Sequence, residues 1–131
     1  MSLSICTILL VDDEPAVLSL VGTVLEREGY RVVCSSDPSA ALKLAARSGV
    51  TLDLLLTDVT MPGVCGPLLA QSFREAFPGA RILYMTAHSS GMDRDHGIPP
   101  GADVLRKPFR IRELVERVRM ALEHRSAAAA C

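Results

Sequence analysis

The fold is decided by one stretch, Leu54-Leu55-Leu56-Thr57-Asp58-Val59-Thr60-Met61-Pro62-Gly63. An apolar run ends there in a carboxylate, and the turn formers proline and glycine follow at once. This pattern indicates a buried parallel strand with Asp58 at its carboxyl end. Ligands bind beyond the carboxyl ends of strands in open α/β sheets, so Asp58 is a candidate functional residue. A turn residue or helix cap is the simpler interpretation, and Asp58 alone would favour it.

Length and composition indicate one globular domain. The chain has 131 residues, of which 49% are hydrophobic, and this is enough for a packed core. We expect a single domain over residues 1–131, with a core from about 5 to 124 and a frayed tail from 125 to 131. A net charge of -1 gives no reason to expect nucleic acid or an anionic membrane as a partner.

The sequence predicts a cytoplasmic location. No apolar run reaches the length of a membrane span, and no signal sequence is recognisable at the N-terminus. The four cysteines match no zinc-binding spacing, and we expect reduced thiols. Cys6 and Cys34 fall in predicted strands, where a thiol acts as a small hydrophobic group.

Apolar strands alternate with amphipathic helices along the chain. The predicted strands are Ile5–Val11, Arg31–Ser35, Asp53–Thr57, Arg81–Met85 and Ala102–Arg106. Helical periodicity follows the first three of these strands and returns from Ile111 onward. The stretch from His88 to Gly101 is rich in glycine and proline, so any helix there is short. The alternation predicts an α/β fold with a five-stranded parallel sheet, right-handed crossovers and helices on both faces.

Two helices carry apolar stripes that we expect to face the core. In the first helix, which Asp13 is expected to cap before Pro15, the stripe contains Val17, Leu20, Val21, Val24 and Leu25. In the third helix it contains Leu68, Leu69, Phe73 and Phe77. The second helix is expected to begin at Asp37-Pro38 and to end at Gly49.

Polar residues end four of the predicted strands, and the crossovers bring these ends to one edge of the sheet. They are Asp12, Asp13, Asp58, Thr86 and Lys107. Crowded carboxylates repel one another, and a hard cation such as Mg²⁺ relieves that repulsion through oxygen ligands. A lysine adds positive charge for an anion, and a threonine adds a hydroxyl donor. This combination indicates phosphoryl transfer, with a carboxylate as a candidate nucleophile.

Four motifs together resemble the receiver domain of response regulators in two-component signalling. They are the acidic pair Asp12-Asp13, the stretch from Asp58 to Gly63, Met85-Thr86-Ala87 and Lys107-Pro108-Phe109. Each motif is weak alone, but all four occur in order and on the expected elements. The resemblance extends from about Ile5 to Leu122.

The resemblance implies a role for each site residue. Asp58 would accept a phosphoryl group. Mg²⁺ would be bound directly by Asp13, Asp58 and the backbone carbonyl of Thr60, with Asp12 acting mainly through water. Lys107 would pair with Asp58 and then contact phosphoryl oxygens, and Thr86 would move toward the phosphoryl group as the switch.

The resemblance also implies fold and partners. The fold would be flavodoxin-like, a doubly wound sheet with strand order 2-1-3-4-5 and a cis Lys107–Pro108 bond. The phosphoryl donor would be a histidine kinase or a histidine phosphotransfer protein, and a separate, unidentified partner would receive the signal. The chain would not be an enzyme with its own substrate, although it would assist its own phosphorylation and hydrolysis. The sequence leaves open whether the chain forms a homodimer.

Some positions depart from the family pattern. Val104 stands where many receivers have an aromatic residue three positions before the lysine, and Cys65 stands where many have Asp or Asn. His88, two residues after Thr86, is a candidate for tuning dephosphorylation. The alternative function is therefore a receiver-like binding module that works without phosphorylation. An aspartyl phosphatase is disfavoured because Thr60 occupies the place of its second acid.

Overall fold

The computed structural model describes residues 5–49, 51–61, 64–87, 91 and 97–130. Five parallel strands form one sheet, and these are β1 Thr7–Val11, β2 Arg31–Ser35, β3 Leu54–Asp58, β4 Arg81–Thr86 and β5 Asp103–Arg106. Their order is β2-β1-β3-β4-β5, which confirms the predicted topology. Four helices belong to the described part, and these are α1 Pro15–Arg27, α2 Pro38–Ser48, α3 Gly66–Ala76 and α4 Ile111–Ala130. Two-residue strands, Thr60–Met61 and Val64–Cys65, pair antiparallel beside the sheet.

The sheet has an apolar cluster on each face. One cluster packs alternate residues of β1 and β3, such as Leu10 and Leu56, against α1 and α4. The other packs the intervening residues, such as Leu9 and Leu55, against Phe73 of α3. All residues of β1 and β3 are buried, as expected for parallel strands that are covered on both faces. This burial holds the carboxyl ends of the strands in fixed positions.

The helix starts agree with the sequence at α2 and differ at α1. Asp37 caps α2 by accepting the backbone N–H of Ala40 at 3.2 Å. At α1 the residue before the helix is Glu14, so the prediction of Asp13 as the cap is wrong. The Glu14 side chain makes no capping bond, and its own N–H donates to Oδ1 of Asp12 at 2.9 Å. Asp12 therefore organises the turn into α1.

Two predicted burial positions are wrong. Leu20 is 55% exposed and Leu68 is 65% exposed, whereas their neighbours Val21 and Leu69 are buried. Consecutive helical residues point about 100° apart, so a residue directly before the buried stripe lies at its edge. Cys34 is also exposed, because β2 is an edge strand of the sheet.

The last helix is longer than expected. The sequence predicts a frayed tail from residue 125 to 131, but the backbone of α4 is helical to Ala130. Four consecutive alanines end this helix, and alanine has the strongest intrinsic helix propensity. Within the described ranges, no helix combines the length and the apolar character that a membrane crossing needs.

Candidate functional site

Four strand ends converge on one edge of the sheet, as the sequence predicted. Asp12 follows β1 directly, Asp58 is the last residue of β3, Thr86 is the last residue of β4, and Lys107 follows β5. The register pairs Asp58 with Met85 across β3 and β4. By this register Asp12 is level with Asp58, and Thr86 and Lys107 lie one and two residues further along at the same edge.

Three carboxylates form the centre of the site. Asp12, Asp13 and Asp58 each offer a carboxylate oxygen, and these oxygens lie within 4.8 Å of one another. Asp12 and Asp58 are buried, and Asp13 is exposed. Such a cluster could hold a metal ion. Hard oxygen donors that are partly open to solvent fit Mg²⁺, which keeps several water ligands.

Lys107 bridges two of these carboxylates. Its Nζ lies 3.1 Å from Oδ2 of Asp12 and 3.3 Å from Oδ2 of Asp58. Burial by itself lowers the pKa of Lys107, but the hydrogen bond to Asp12 and the charges of Asp58 and Asp12 outweigh it and raise the pKa. Lys107 therefore carries a firmly held positive charge beside the candidate phosphoacceptor.

The backbone around Lys107 fixes its position. The Lys107–Pro108 bond is cis, as the resemblance implied. The N–H of Lys107 donates to the carbonyl of Thr86 at 2.7 Å, which ties the end of β5 to the end of β4. Thr86 itself is buried. Thr86 therefore lies at the edge of the sheet where the end of β4 meets Lys107.

Asp12 has a structural role that the sequence did not indicate. Its Oδ2 accepts from Lys107, its Oδ1 accepts the N–H of Glu14, and its own N–H donates to the carbonyl of Ser35 at 3.3 Å. The contact to Lys107 was missed because the two residues are 95 positions apart in the sequence. An Asp followed by the start of a helix is the only local signal for the turn.

The remaining predicted residues are described in part. Thr60, two positions after Asp58, lies in a two-residue strand and pairs with Cys65. Metal binding by the Thr60 carbonyl stays a prediction. Pro62, Gly63 and His88 lie outside the described residues, as does most of the stretch from 88 to 101.

One contact at the end of β3 was not predicted from the sequence. The hydroxyl of Thr57 donates to the carbonyl of Asp58 at 3.0 Å. This bond fixes the backbone at the end of β3.

Comparisons with known proteins agree on one family. The model of the response regulator receiver domain family matches residues 8–119. The transcriptional regulatory protein CpxR of Escherichia coli K12 is 41% identical over 116 residues, which cover 88% of this chain and 48% of that protein. TrcR of Mycobacterium tuberculosis, also a transcriptional regulatory protein, is 38% identical over 120 residues, which cover 91% of this chain and 46% of that protein. The chain thus spans about half the length of these curated relatives.

Solved structures share the whole fold. A response regulator receiver protein from Sinorhizobium medicae superposes with a TM-score of 0.80 at 30% sequence identity. The match covers 95% of this chain and 99% of that one. The similarity therefore extends over the sheet, its flanking helices and the edge that carries the acidic cluster.

Proposed function

We propose that this chain, which belongs to the family of response regulator receiver domains, takes a phosphoryl group from a phosphohistidine donor onto Asp58. A carboxylate oxygen of Asp58 attacks phosphorus, the phosphorus–nitrogen bond breaks, and an acyl phosphate forms on Asp58. The observation that carries this proposal is the contact between Lys107 and Asp58 at 3.3 Å, beside two further carboxylates. A phosphoryl group on Asp58 would then have a cation within reach.

Lys107 and Thr86 are the residues we assign to the phosphoryl group itself. The ammonium of Lys107 neutralises one carboxylate charge before transfer and contacts a phosphoryl oxygen afterwards. Its distance to Asp58 requires only a small movement for this exchange. Thr86 ends the neighbouring strand, and we propose that its hydroxyl donates to another phosphoryl oxygen.

We assign the metal site to Asp13, Asp58 and the backbone carbonyl of Thr60. Mg²⁺ in this position supplies positive charge for the oxygens of the phosphoryl group. Asp12 acts through water in this proposal. The support is that its two oxygens already accept hydrogen bonds, one from Glu14 and one from Lys107.

In this proposal the phosphorylated chain acts as a signalling switch and does not convert a separate substrate. Phosphorylation adds charge at the end of β3 and shifts a conformational equilibrium that a partner reads. The donor in this proposal is a histidine kinase or a histidine phosphotransfer protein, and the site of action is the cytoplasm. Two relatives carry the name transcriptional regulatory protein, and each is about twice the length of the matched region. Control of an output partner is therefore the role that we propose.

Intact-mass measurement tests this function. The protein is incubated with Mg²⁺ and acetyl phosphate, beside the variants Asp58→Ala and Asp103→Ala. Asp103 is an acidic residue at the amino end of β5, where it pairs with Arg81 at 3.6 Å, and it serves as the control. We expect one phosphoryl adduct on the wild type and on Asp103→Ala, and none on Asp58→Ala. Absence of the adduct from all three proteins, with a histidine kinase also failing as donor, would favour the phosphorylation-independent binding module.

A further inference from the structure

The peptide group that follows the candidate phosphoacceptor is held on both sides. Its N–H belongs to Val59 and donates to the carbonyl of Met85 on β4 at 2.9 Å. Its carbonyl belongs to Asp58 and accepts the hydroxyl of Thr57 at 3.0 Å. Because a peptide group is planar, bonds on its two sides fix the orientation of the whole unit. The backbone that carries the Asp58 side chain is therefore held directly at the site.

Thr57 is well placed to supply the second of these bonds. It is fully buried, at 0% exposure, and it is the last residue of β3 that pairs with β1, opposite Val11. Asp58 lies one residue beyond that pair. The N–H of Asp12, which follows β1, donates to Ser35 on the far side of β1 and so is directed away from Asp58. The donor to the Asp58 carbonyl thus comes from the preceding side chain of β3 itself.

The hydroxyl of Thr57 is not needed to fill the core. Valine has nearly the same branched shape as threonine and would occupy the same space without a polar atom. The other buried residues of this strand before Asp58, which are Leu54, Leu55 and Leu56, are all apolar. A buried hydroxyl is unfavourable unless it is hydrogen-bonded, and its partner here is the carbonyl of the phosphoacceptor. The polar atom at position 57 therefore serves the backbone of Asp58.

The held peptide group determines where two parts of the proposed site lie. On one side it fixes the direction in which the Asp58 carboxylate leaves the backbone, with Lys107 at 3.3 Å. On the other side the chain bends at Val59 and continues to Thr60, whose carbonyl we propose as a metal ligand. The rate of phosphoryl transfer depends steeply on the alignment of the reacting atoms. A looser peptide group is therefore expected to slow the reaction at Asp58.

We infer that Thr57 is a positioning residue, which acts through the backbone carbonyl of Asp58 to align the phosphoacceptor and the chain that leads to Thr60. This inference rests on the proposed function of Asp58. It goes beyond that function because it assigns a role in phosphoryl transfer to a fully buried residue outside the charged cluster.

Amide hydrogen exchange, followed by NMR, tests the backbone contact without phosphate or metal. The variants are Thr57→Val, which lacks the hydroxyl, Thr57→Ser, which keeps it, and Thr7→Val. Thr7 is a buried threonine at the amino end of β1 and serves as the matched control. We expect the Val59 amide to exchange at least about tenfold faster in Thr57→Val, and within about threefold of the wild type in the other two variants.

Two results of the exchange experiment would overturn the inference. The first is an unchanged exchange rate of the Val59 amide in Thr57→Val, which would mean that the hydroxyl does not hold this peptide group. The second is an equal acceleration at the amide of Leu55, in the middle of β3, which would indicate general destabilisation of the strand.

Phosphorylation kinetics test the consequence for the reaction. Adduct formation with Mg²⁺ and acetyl phosphate is followed by intact mass for the wild type and the three variants. We expect the rate to fall at least about fivefold in Thr57→Val. Thr57→Ser restores the donor and is expected to react within about twofold of the wild-type rate, as is Thr7→Val.

The kinetic outcomes separate this inference from the proposed function. A wild-type rate in Thr57→Val, or a rate as low as that of Thr57→Val in either of the other two variants, would overturn the inference. The adduct on the wild type would still support the function of Asp58. Absence of the adduct from the wild type, with both acetyl phosphate and a histidine kinase as donors, would overturn the proposed function and the inference with it.

Discussion

The ammonium of Lys107 lies 3.1 Å from the buried carboxylate of Asp12, slightly closer than its 3.3 Å to Asp58. The lysine is therefore shared between a carboxylate that stabilises the turn into α1 and the carboxylate that we propose to be phosphorylated. Charge at Asp58 and the geometry of the β1–α1 turn are thus coupled through one cation.

Replacing Asp13 by Asn has opposite effects without and with Mg²⁺. One carboxylate fewer reduces the repulsion within the acidic cluster, so we expect the free energy of unfolding without metal to rise by on the order of 1 kcal/mol. The same change removes a ligand, so we expect Mg²⁺ to stabilise the variant less than the wild type. Thermal unfolding with and without Mg²⁺ measures both effects. Equal stabilisation of the two proteins by Mg²⁺ would remove Asp13 from the metal site.

Two substitutions at Asp12 both remove its charge, and the difference between them isolates its hydrogen bond to Glu14. Asn at this position still accepts the N–H of Glu14, whereas Ala leaves that N–H without its side-chain acceptor. We expect Asp12→Ala to unfold more easily than Asp12→Asn by about 1 kcal/mol. Urea unfolding of both variants gives the difference. If the two variants were equally stable, the bond to Glu14 would have no stabilising role.

Leucines on α1 should differ sharply in their contribution to stability. Leu25 is fully buried, and its truncation leaves a cavity, so Leu25→Ala is expected to cost about 2–5 kcal/mol. Leu20 is mostly exposed, and Leu20→Ala is expected to change stability by less than about 0.5 kcal/mol. Chemical unfolding of the pair is the measurement. Comparable losses would mean that α1 packs with a different face toward the sheet.

The Cys34 thiol is expected to react slowly in spite of its exposure. Partial burial, followed by the nearby charge of Glu26, raises its pKa above that of an ordinary thiol. The fraction of reactive thiolate near pH 8 is therefore small, and it increases as the pH rises through the raised pKa. Iodoacetamide labelling of this residue across pH, followed by peptide mass spectrometry, tests the prediction. Labelling as fast as that of a free thiol in a short peptide would contradict it.

The sheet and the convergence of polar residues at its edge could be predicted from the sequence because both depend on short-range patterns. Buried parallel strands are continuous apolar runs, and each run here ends in a polar residue at the same edge. The strand order and the cis Lys107–Pro108 bond came from the family resemblance, and both were confirmed.

Features that depend on three-dimensional packing could not be predicted. Leu20 and Leu68 have the correct residue type and spacing for the core. The rotation of each helix about its own axis, however, decides whether a residue at the edge of its apolar stripe is buried. The bond between Lys107 and Asp12 joins distant segments and exists only after the sheet has formed. The pairing of Tyr84 with Val104 likewise depends on strand register, which no single strand reveals.

The central claim is that Asp58 itself carries the phosphoryl group. An acyl phosphate is reduced by borohydride to an alcohol, which marks the modified aspartate as homoserine. The protein is treated with Mg²⁺ and acetyl phosphate, reduced, digested and sequenced by mass spectrometry. We predict homoserine at position 58, with unmodified Asp12 and Asp13. Homoserine at another carboxylate, with none at position 58, would contradict the account.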